Sequence, residues 1–266
     1  MVSPLIILLA AALSLASSPV AAGKASPTLR ELKQAAAANP QDPQAHYLLG
    51  AKYESQGDAK KAVREYQTAL KLKPDDGQAL YRLGRLLGEL VDTDPAVRIA
   101  KEAVRVNPKS AEARSLLAAL YNRQGVAFLG QESLDNAREA FEAGLQAKGG
   151  AAEDAALRNN LGCLYVRQDR PELAAATFQA VLSQNPDAAQ ARYNLALLYY
   201  AQGDYQAASQ QLFALKASNR DLAGELADYR FRIETSTYVT PPVKTLLTFP
   251  GSPRFTEGTR LPSSTR

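Results

Sequence analysis

The chain of 266 residues holds one cysteine, one histidine and no tryptophan. With Cys163 alone, no disulfide can close within the chain. A metal cluster of His and Cys ligands is excluded for the same reason, which leaves carboxylates as weak cation ligands. A Ser/His/Asp triad would have to use His46. The nearest approach to a phosphate-binding loop, "SPVAAGKA", lacks the first Gly and the final Ser/Thr, and HExxH, GxSxG and CxxC are absent. No catalytic residue, cofactor or metal is therefore expected. Val, Ile and Phe are sparse beside Ala and Leu, a balance that favours helix over strand.

Charge is also missing from long stretches. Residues 1–22 carry no charged side chain. The formal net charge is +4, and the tail 235–266 supplies +3 of it, from Lys244, Arg254, Arg260 and Arg266 against Glu257. A nucleic-acid binder needs its basic excess on the folded body, so nucleic acid is not expected as a partner.

The opening "MVSPLIILLAAALSLASSPVAAGKASP" has an apolar run from Leu5 to Ala16, and Val20-Ala21-Ala22 fits the small-x-small rule for cleavage. This predicts a signal peptide over 1–22 and export to the periplasm or the exterior. The alternative is an uncleaved anchor, because Pro4 to Ala22 is an uncharged stretch of 19 residues, just long enough to span a bilayer. In that case the folded part is membrane-tethered and still lies outside the cytoplasm. No Cys follows the run, which excludes a lipoprotein signal, and a single-Cys chain suits an oxidising compartment.

What is present is a repeat. Asn39-Pro40, Lys73-Pro74 and Asn107-Pro108 recur every 34 residues, as do Gly50 and Gly84, Ala62 and Ala96, Ala69 and Ala103, and later Ala174 and Ala208. "YLLGAKYESQG" at 47–57 returns as "YNLALLYYAQG" at 193–203, ten residues further on than four such steps. Seven of the ten lengthen the first helix of the third unit, and seven residues, close to two helical turns, keep the apolar face in phase. The other three fall around Gly149-Gly150, expected to be a loop. Asp42-Pro43 and Asp94-Pro95 each read as an N-cap before a first-turn proline.

A 34-residue helix–turn–helix unit with small residues at fixed places resembles the tetratricopeptide repeat (TPR) family. The unit 43–76 has Leu49, Gly50, Tyr53, Gly57, Ala62, Tyr66, Ala69 and Pro74 at that family's marker positions, and 155–188 has Leu161, Gly162, Tyr165, Ala174, Phe178 and Pro186. The resemblance implies an all-α, right-handed superhelical solenoid with an irregular C-terminal tail. The expected organisation is a linker and capping helix over 23–42, then five units at 43–76, 77–110, 111–154, 155–188 and 189–222. A C-terminal capping helix over 223–234 and a Pro/Ser/Thr-rich tail over 235–266 follow. Capping is needed because the ends of a solenoid otherwise expose its core.

The resemblance also implies a groove, lined by the first helix of each unit, that binds a protein or peptide segment. Reading the fifth position of each unit gives Tyr47, Tyr81, Asn122, Asn159 and Tyr193. The sixth gives Leu48, Arg82, Arg123, Asn160 and Asn194; the ninth, Ala51, Arg85, Val126, Cys163 and Leu197; the twelfth, Glu54, Gly88, Leu129, Val166 and Tyr200. Asn amides pair with both groups of a peptide backbone, and Tyr and Arg are favoured anchors. The groove is expected to be basic toward the second and third units, from Arg82, Arg85 and Arg123 with Arg167 beyond, because Glu54 and Glu89 oppose them only in part. It is expected to be apolar toward the fourth and fifth. The Lys and Asn clamp with which some members hold chaperone tails is replaced here by Tyr47 and Ala51, which argues against that role. His46 and Cys163 read as packing residues, and Asp75-Asp76 and Asp92/Asp94 as helix caps. The resulting expectation is an exported, non-enzymatic scaffold, by fold analogy in bacterial envelope or pilus assembly. The alternatives are a membrane-anchored adaptor and a non-catalytic subunit of an envelope enzyme complex.

Overall fold

The computed structural model describes residues 27–90 and 93–235, with side chains described as far as residue 228. The proposed signal peptide, Asp92 and the tail beyond Thr235 lie outside the described residues. Those residues form twelve α-helices and no strand. In chain order they are α1 (Leu29–Ala38), α2 (Pro43–Ser55), α3 (Ala59–Leu72), α4 (Gly77–Leu90), α5 (Thr93–Val106) and α6 (Ala111–Gly130). Then come α7 (Leu134–Gln146), α8 (Ala151–Arg167), α9 (Pro171–Gln184), α10 (Ala189–Gln202), α11 (Tyr205–Ser218) and α12 (Arg220–Thr235).

The helix boundaries follow from local chemistry. Thr28 and Glu31 form a reciprocal capping box at α1, with the Thr28 amide donating to Glu31 Oε2 at 2.7 Å. Asp42 accepts from the Gln44 amide at 2.9 Å and precedes Pro43, whose missing N–H costs nothing in a first turn. Asp76 accepts from the Gln78 and Ala79 amides, each at 3.1 Å, where α4 begins. Asp58, Ser110 and Asp204 cap α3, α6 and α11 in the same way. At Asn39-Pro40, Lys73-Pro74, Asn107-Pro108 and Asn185-Pro186 the proline cannot continue the helix before it. Gly203 closes α10 in the left-handed region at φ 79°, where a side chain would be strained.

Adjacent helices pair as α2 with α3, α4 with α5, α6 with α7, α8 with α9 and α10 with α11, and each pair packs on the next. The first helices also touch in sequence from α4 to α10, while α1 covers α2, and α12 covers α10 and α11. The core is accordingly a row of clusters, each tying one pair to its neighbour. Small residues set the spacing within a pair. A methyl group added at Gly125 would run into the Phe141 ring, and one at Gly162 into the Phe178 ring. Both rings are fully buried, each stabilising the fold by about 1.5–3 kcal/mol.

Two lengthened helices lie side by side. α6 has 20 residues and α8 has 17, against 13 in α2. The sequence expectation put three extra residues into the loop around Gly149-Gly150, but α8 starts directly after it, at Ala151. The extra first turn of α8 packs on the extra turns of α6, where Ser115 donates to Glu153. Gly149 is small because the connection crosses α6 closely: a Cβ there would sit 2.7 Å from that of Ala118 and 3.1 Å from Ser115 Cα. A second difference concerns α5, which begins at Thr93 and so takes Asp94 into its first turn. The Asp94 carboxylate accepts from Gln124 Nε2 at 2.6 Å and joins α5 to α6. In α12 the stripe residues Leu222 and Leu226 are buried, as a cap over α10 and α11 requires; Tyr229 and Ile233 lie beyond the described side chains.

Candidate partner-binding face

The first helices α2, α4, α6, α8 and α10 bring the fifth, sixth, ninth and twelfth residues of the units onto one side, because three- and four-residue steps share a helical face. Toward the N-terminal end that side is open. Tyr47, Tyr81, Arg82, Arg85 and Asn122 are half-buried, Arg123 is exposed and Leu48 is 40% exposed.

Glu54 on α2 is the hub of this open half. Tyr66 Oη donates to Glu54 Oε2 at 2.5 Å, Arg82 Nη1 donates to the same oxygen at 3.2 Å, and Arg85 donates to Oε1. Arg82 Nε reaches Tyr47 Oη at 3.0 Å, and the Tyr47 and Tyr66 rings lie 5.8 Å apart. Arg85 also pairs with Glu89 at 2.7 Å. Burial alone would raise the Glu54 pKa, but the Tyr66 hydroxyl and the two guanidiniums outweigh it and hold the carboxyl below its ordinary value. Burial and the same carboxylate push the Tyr66 hydroxyl upward. At the expected basic end, Arg82 and Arg85 are therefore paired with the acids Glu54 and Glu89. Arg123 and Arg167, the remaining expected cations, donate to the Gly88 and Leu129 carbonyls on the preceding first helices, with Arg167 also 3.3 Å from Glu132.

Many of these contacts share a pattern: they tie a first helix to the first helix of the preceding unit. Arg82 and Arg85 join α4 to α2, Arg123 joins α6 to α4, and Arg167 joins α8 to α6. Asn160 Nδ2 donates to Asn122 Oδ1 at 2.7 Å, and Asn194 Nδ2 donates to Asn159 Oδ1 at 3.1 Å. Side chains expected to await a ligand thus also join neighbouring units. Glu54 was expected in the groove only as a partial counter-charge, and not as the acceptor shared by Arg82, Arg85 and Tyr66. Its signal was its place: an acid at the twelfth position, where the other units carry Gly88, Leu129, Val166 and Tyr200.

Toward the C-terminal end the side is closed. Asn159 is 2% exposed, Asn160 and Asn194 are 0% exposed, and Tyr193, Tyr200, Cys163, Val166 and Leu197 are buried. These five expected groove residues, Asn159, Asn160, Tyr193, Asn194 and Tyr200, are not presented to solvent. Cys163 lies in the same layer, 3.3 Å from Asn194 Nδ2, and burial pushes its thiol well above the ordinary value, so it behaves as a small inert residue. His46 makes two polar contacts: Nδ1 is 2.7 Å from Glu65 Oε2 and Nε2 is 3.2 Å from the Pro40 carbonyl. The Glu65 contact joins α2 to α3, and the His46 side chain is only 13% exposed. Among the described residues, no three His, Cys, Asp or Glu side chains converge to hold a metal, and no helix is long and apolar enough to cross a membrane.

Two family models, both described as tetratricopeptide repeat, match the chain, one over 13–77 and 159–221 and the other over 53–120. The chain belongs to the tetratricopeptide-repeat family. Solved TPR structures superpose on it. One is YrrB, described as a TPR protein with an unusual peptide-binding site, at a TM-score of 0.52 and 18% identity, covering 76% of this chain and 100% of YrrB. Another is the MamA RS-1 ArsTM double mutant, at 0.51 and 18% identity, covering 67% of this chain and 95% of that one. At such identities the likeness is one of fold. No curated protein matches the sequence. The TPR assignment accounts for the helix pairs and for the small residues between them. The lengthened α6 and α8 are what this chain adds to the repeat.

Proposed function

We propose that this TPR chain is a non-enzymatic scaffold that binds an extended segment of a partner protein along the open inner side of α2, α4 and α6. The observation that carries the proposal is the row of Tyr47, Tyr81, Arg82, Asn122 and Arg123, solvent-accessible side chains on three consecutive first helices. Aromatic and guanidinium groups held in place by neighbouring residues lose little entropy when a partner arrives. The Glu54 hub supplies that rigidity here. The fold it shares with YrrB, described as having a peptide-binding site, supports the same reading. The near-neutral hub favours a polar or apolar segment over a strongly acidic one.

The apolar run Leu5 to Ala16 and the small residues before Gly23 support export, with the scaffold acting in the bacterial envelope or in pilus assembly. A membrane-anchored adaptor is the second reading, favoured by the length of the uncharged stretch Pro4 to Ala22. The test is a cross-linked pull-down from the envelope fraction with the parent chain and with Tyr81→Ala. A true groove partner is retained by the parent and lost by the variant at unchanged melting temperature. Equal retention by both removes the inner side of α4 from the site.

A further inference from the structure

The second helices of the units differ in charge. α3 carries Lys60, Lys61, Arg64 and Lys71 against Glu65, a net +3. α7 carries Asp135, Glu139 and Glu142 against Arg138, a net −2, while α9 has Glu172 alone and α11 has Lys216 alone. On α3, Lys60, Arg64, Gln67 and Lys71 follow one another at i, i+4, i+7 and i+11 and form one exposed stripe. Both α3 and α5 pack on α4, and between them runs an open groove of about 530 Å³. Its apolar lining is Leu70, Leu83, Leu87, Pro95 and Ile99, of which all but Leu83 are only partly buried. Leu83 and Leu87 each stand two residues from Arg85 and so are turned about 200° from that inner-side residue, which places the groove on the outer side. Lys71 stands on the α3 bank and Arg98 on the α5 bank, both exposed. The acids of these two helices are engaged elsewhere, Glu65 with His46, Glu102 with Arg105 and Asp94 with Gln124. Among the described residues, Lys71 and Arg98 pair with no carboxylate.

We propose that the groove between α3 and α5 is a second docking site, for an acidic amphipathic segment of a partner protein. Large apolar side chains of the segment enter over Leu70, Leu87 and Ile99, and its carboxylates meet Lys71 and Arg98. Charge complementarity selects this occupant, because a segment lying between the banks meets an unpaired cation on each side. The apolar lining selects against the other anionic surfaces. A lipid headgroup layer or a phosphate backbone would satisfy the two cations and leave Leu70, Leu87 and Ile99 in water. An amphipathic helix laid in a groove covers both at once. The volume falls in the range of about 300–1,000 Å³ that ordinarily accepts a ligand. The inference goes beyond the inner-side reading: with one site on each side of the helix layer, the chain can hold two partners together.

The probe is a fluorescein-labelled peptide of repeated Glu-Glu-Leu-Leu, about three helical turns long, titrated with the full-length chain and read by anisotropy. Lys71→Glu/Arg98→Glu should weaken its binding by on the order of tenfold, and the same variant should now prefer a Lys-Lys-Leu-Leu peptide. A switch of preference requires a folded groove, so unfolding of the variant cannot imitate it. No binding to the parent, or equal binding by parent and variant, overturns the proposal. A Glu-Glu-Ser-Ser peptide should bind far more weakly; if it binds as well as the Leu peptide, the apolar lining is unused and the proposal fails. A benzophenone carried on the Leu peptide should cross-link to α3 or α5, and cross-links confined to the inner side of α2, α4 and α6 overturn the assignment. Tighter binding of phosphatidylglycerol vesicles or of single-stranded DNA than of the peptide, lost in the same variant, makes this face a membrane or nucleic-acid site instead. Self-association of the parent that the variant abolishes makes it an interface between copies of this chain. No arm involves Tyr81, so failure here leaves the Tyr81→Ala pull-down to decide the inner side.

Discussion

Replacing Gly162 with Ala tests the packing of the repeat through a sign. In an exposed helix interior this change stabilises by about 1 kcal/mol, because Ala restricts the unfolded chain and Gly does not. At Gly162 the new Cβ would lie 2.7 Å from Cζ and 2.8 Å from Cδ1 of Phe178, where carbon atoms prefer about 3.5–4.0 Å. Phe178 is 0% exposed and packed among Ala174, Val181, Leu195 and Leu198, so its ring has no free space to turn into. Overpacking of this kind costs about 1–3 kcal/mol and should cancel or exceed the propensity gain. Gly224→Ala, in α12 with nothing within 4 Å of the new methyl, should show the gain alone. The decisive arm is Gly162→Ala in a Phe178→Leu background. There the ring is gone, and the substitution should turn stabilising. The four variants form a cycle whose coupling energy, read from urea unfolding by far-UV circular dichroism, should be about 1–3 kcal/mol. If Gly162→Ala has the same effect in both backgrounds, Gly162 is not where α8 and α9 meet, and the repeat register is wrong.

The remaining predictions are these. Glu54→Gln should destabilise by about 1–3 kcal/mol at neutral pH, because charge-assisted bonds from Arg82, Arg85 and Tyr66 lose their acceptor charge. Since the folded Glu54 pKa lies below the ordinary 4.5, this stabilisation is present above pH 4.5 and is lost as pH falls below it. Urea midpoints of parent and variant should therefore converge in acid, and a constant gap from pH 7 to pH 3 would refute the hub. For export, the intact mass of the mature protein should correspond to a chain beginning at Gly23. Met1 retained in a membrane fraction would favour the anchor, and Met1 retained in the cytosol would rule out export.

Much of the architecture is written locally in the sequence. Asp42 before Pro43, Asp76 two residues ahead of Gln78, and the prolines after Asn39, Lys73, Asn107 and Asn185 start and stop helices within a few residues of themselves. Gly162 opposite Phe178 and Gly125 opposite Phe141 recur because a close helix pair needs a gap and a ring at a constant separation along the chain. For such features sequence distance and spatial distance are tied together by one helical hairpin, so periodicity alone specified the all-α repeat. What tertiary structure decided lies between units. Arg82 and Arg85 read as free cations until α4 stands beside α2 and brings them to Glu54, 28 and 31 residues away. Gly149-Gly150 reads as the place for extra loop until the long α6 offers Ser115 to Glu153 and draws those residues into α8. Asn122, Asn159, Tyr81 and Tyr193 hold the same position in their units, yet the first and third are open and the others closed. Position in a repeat sets the direction in which a side chain points, while its exposure depends on what packs across from that direction.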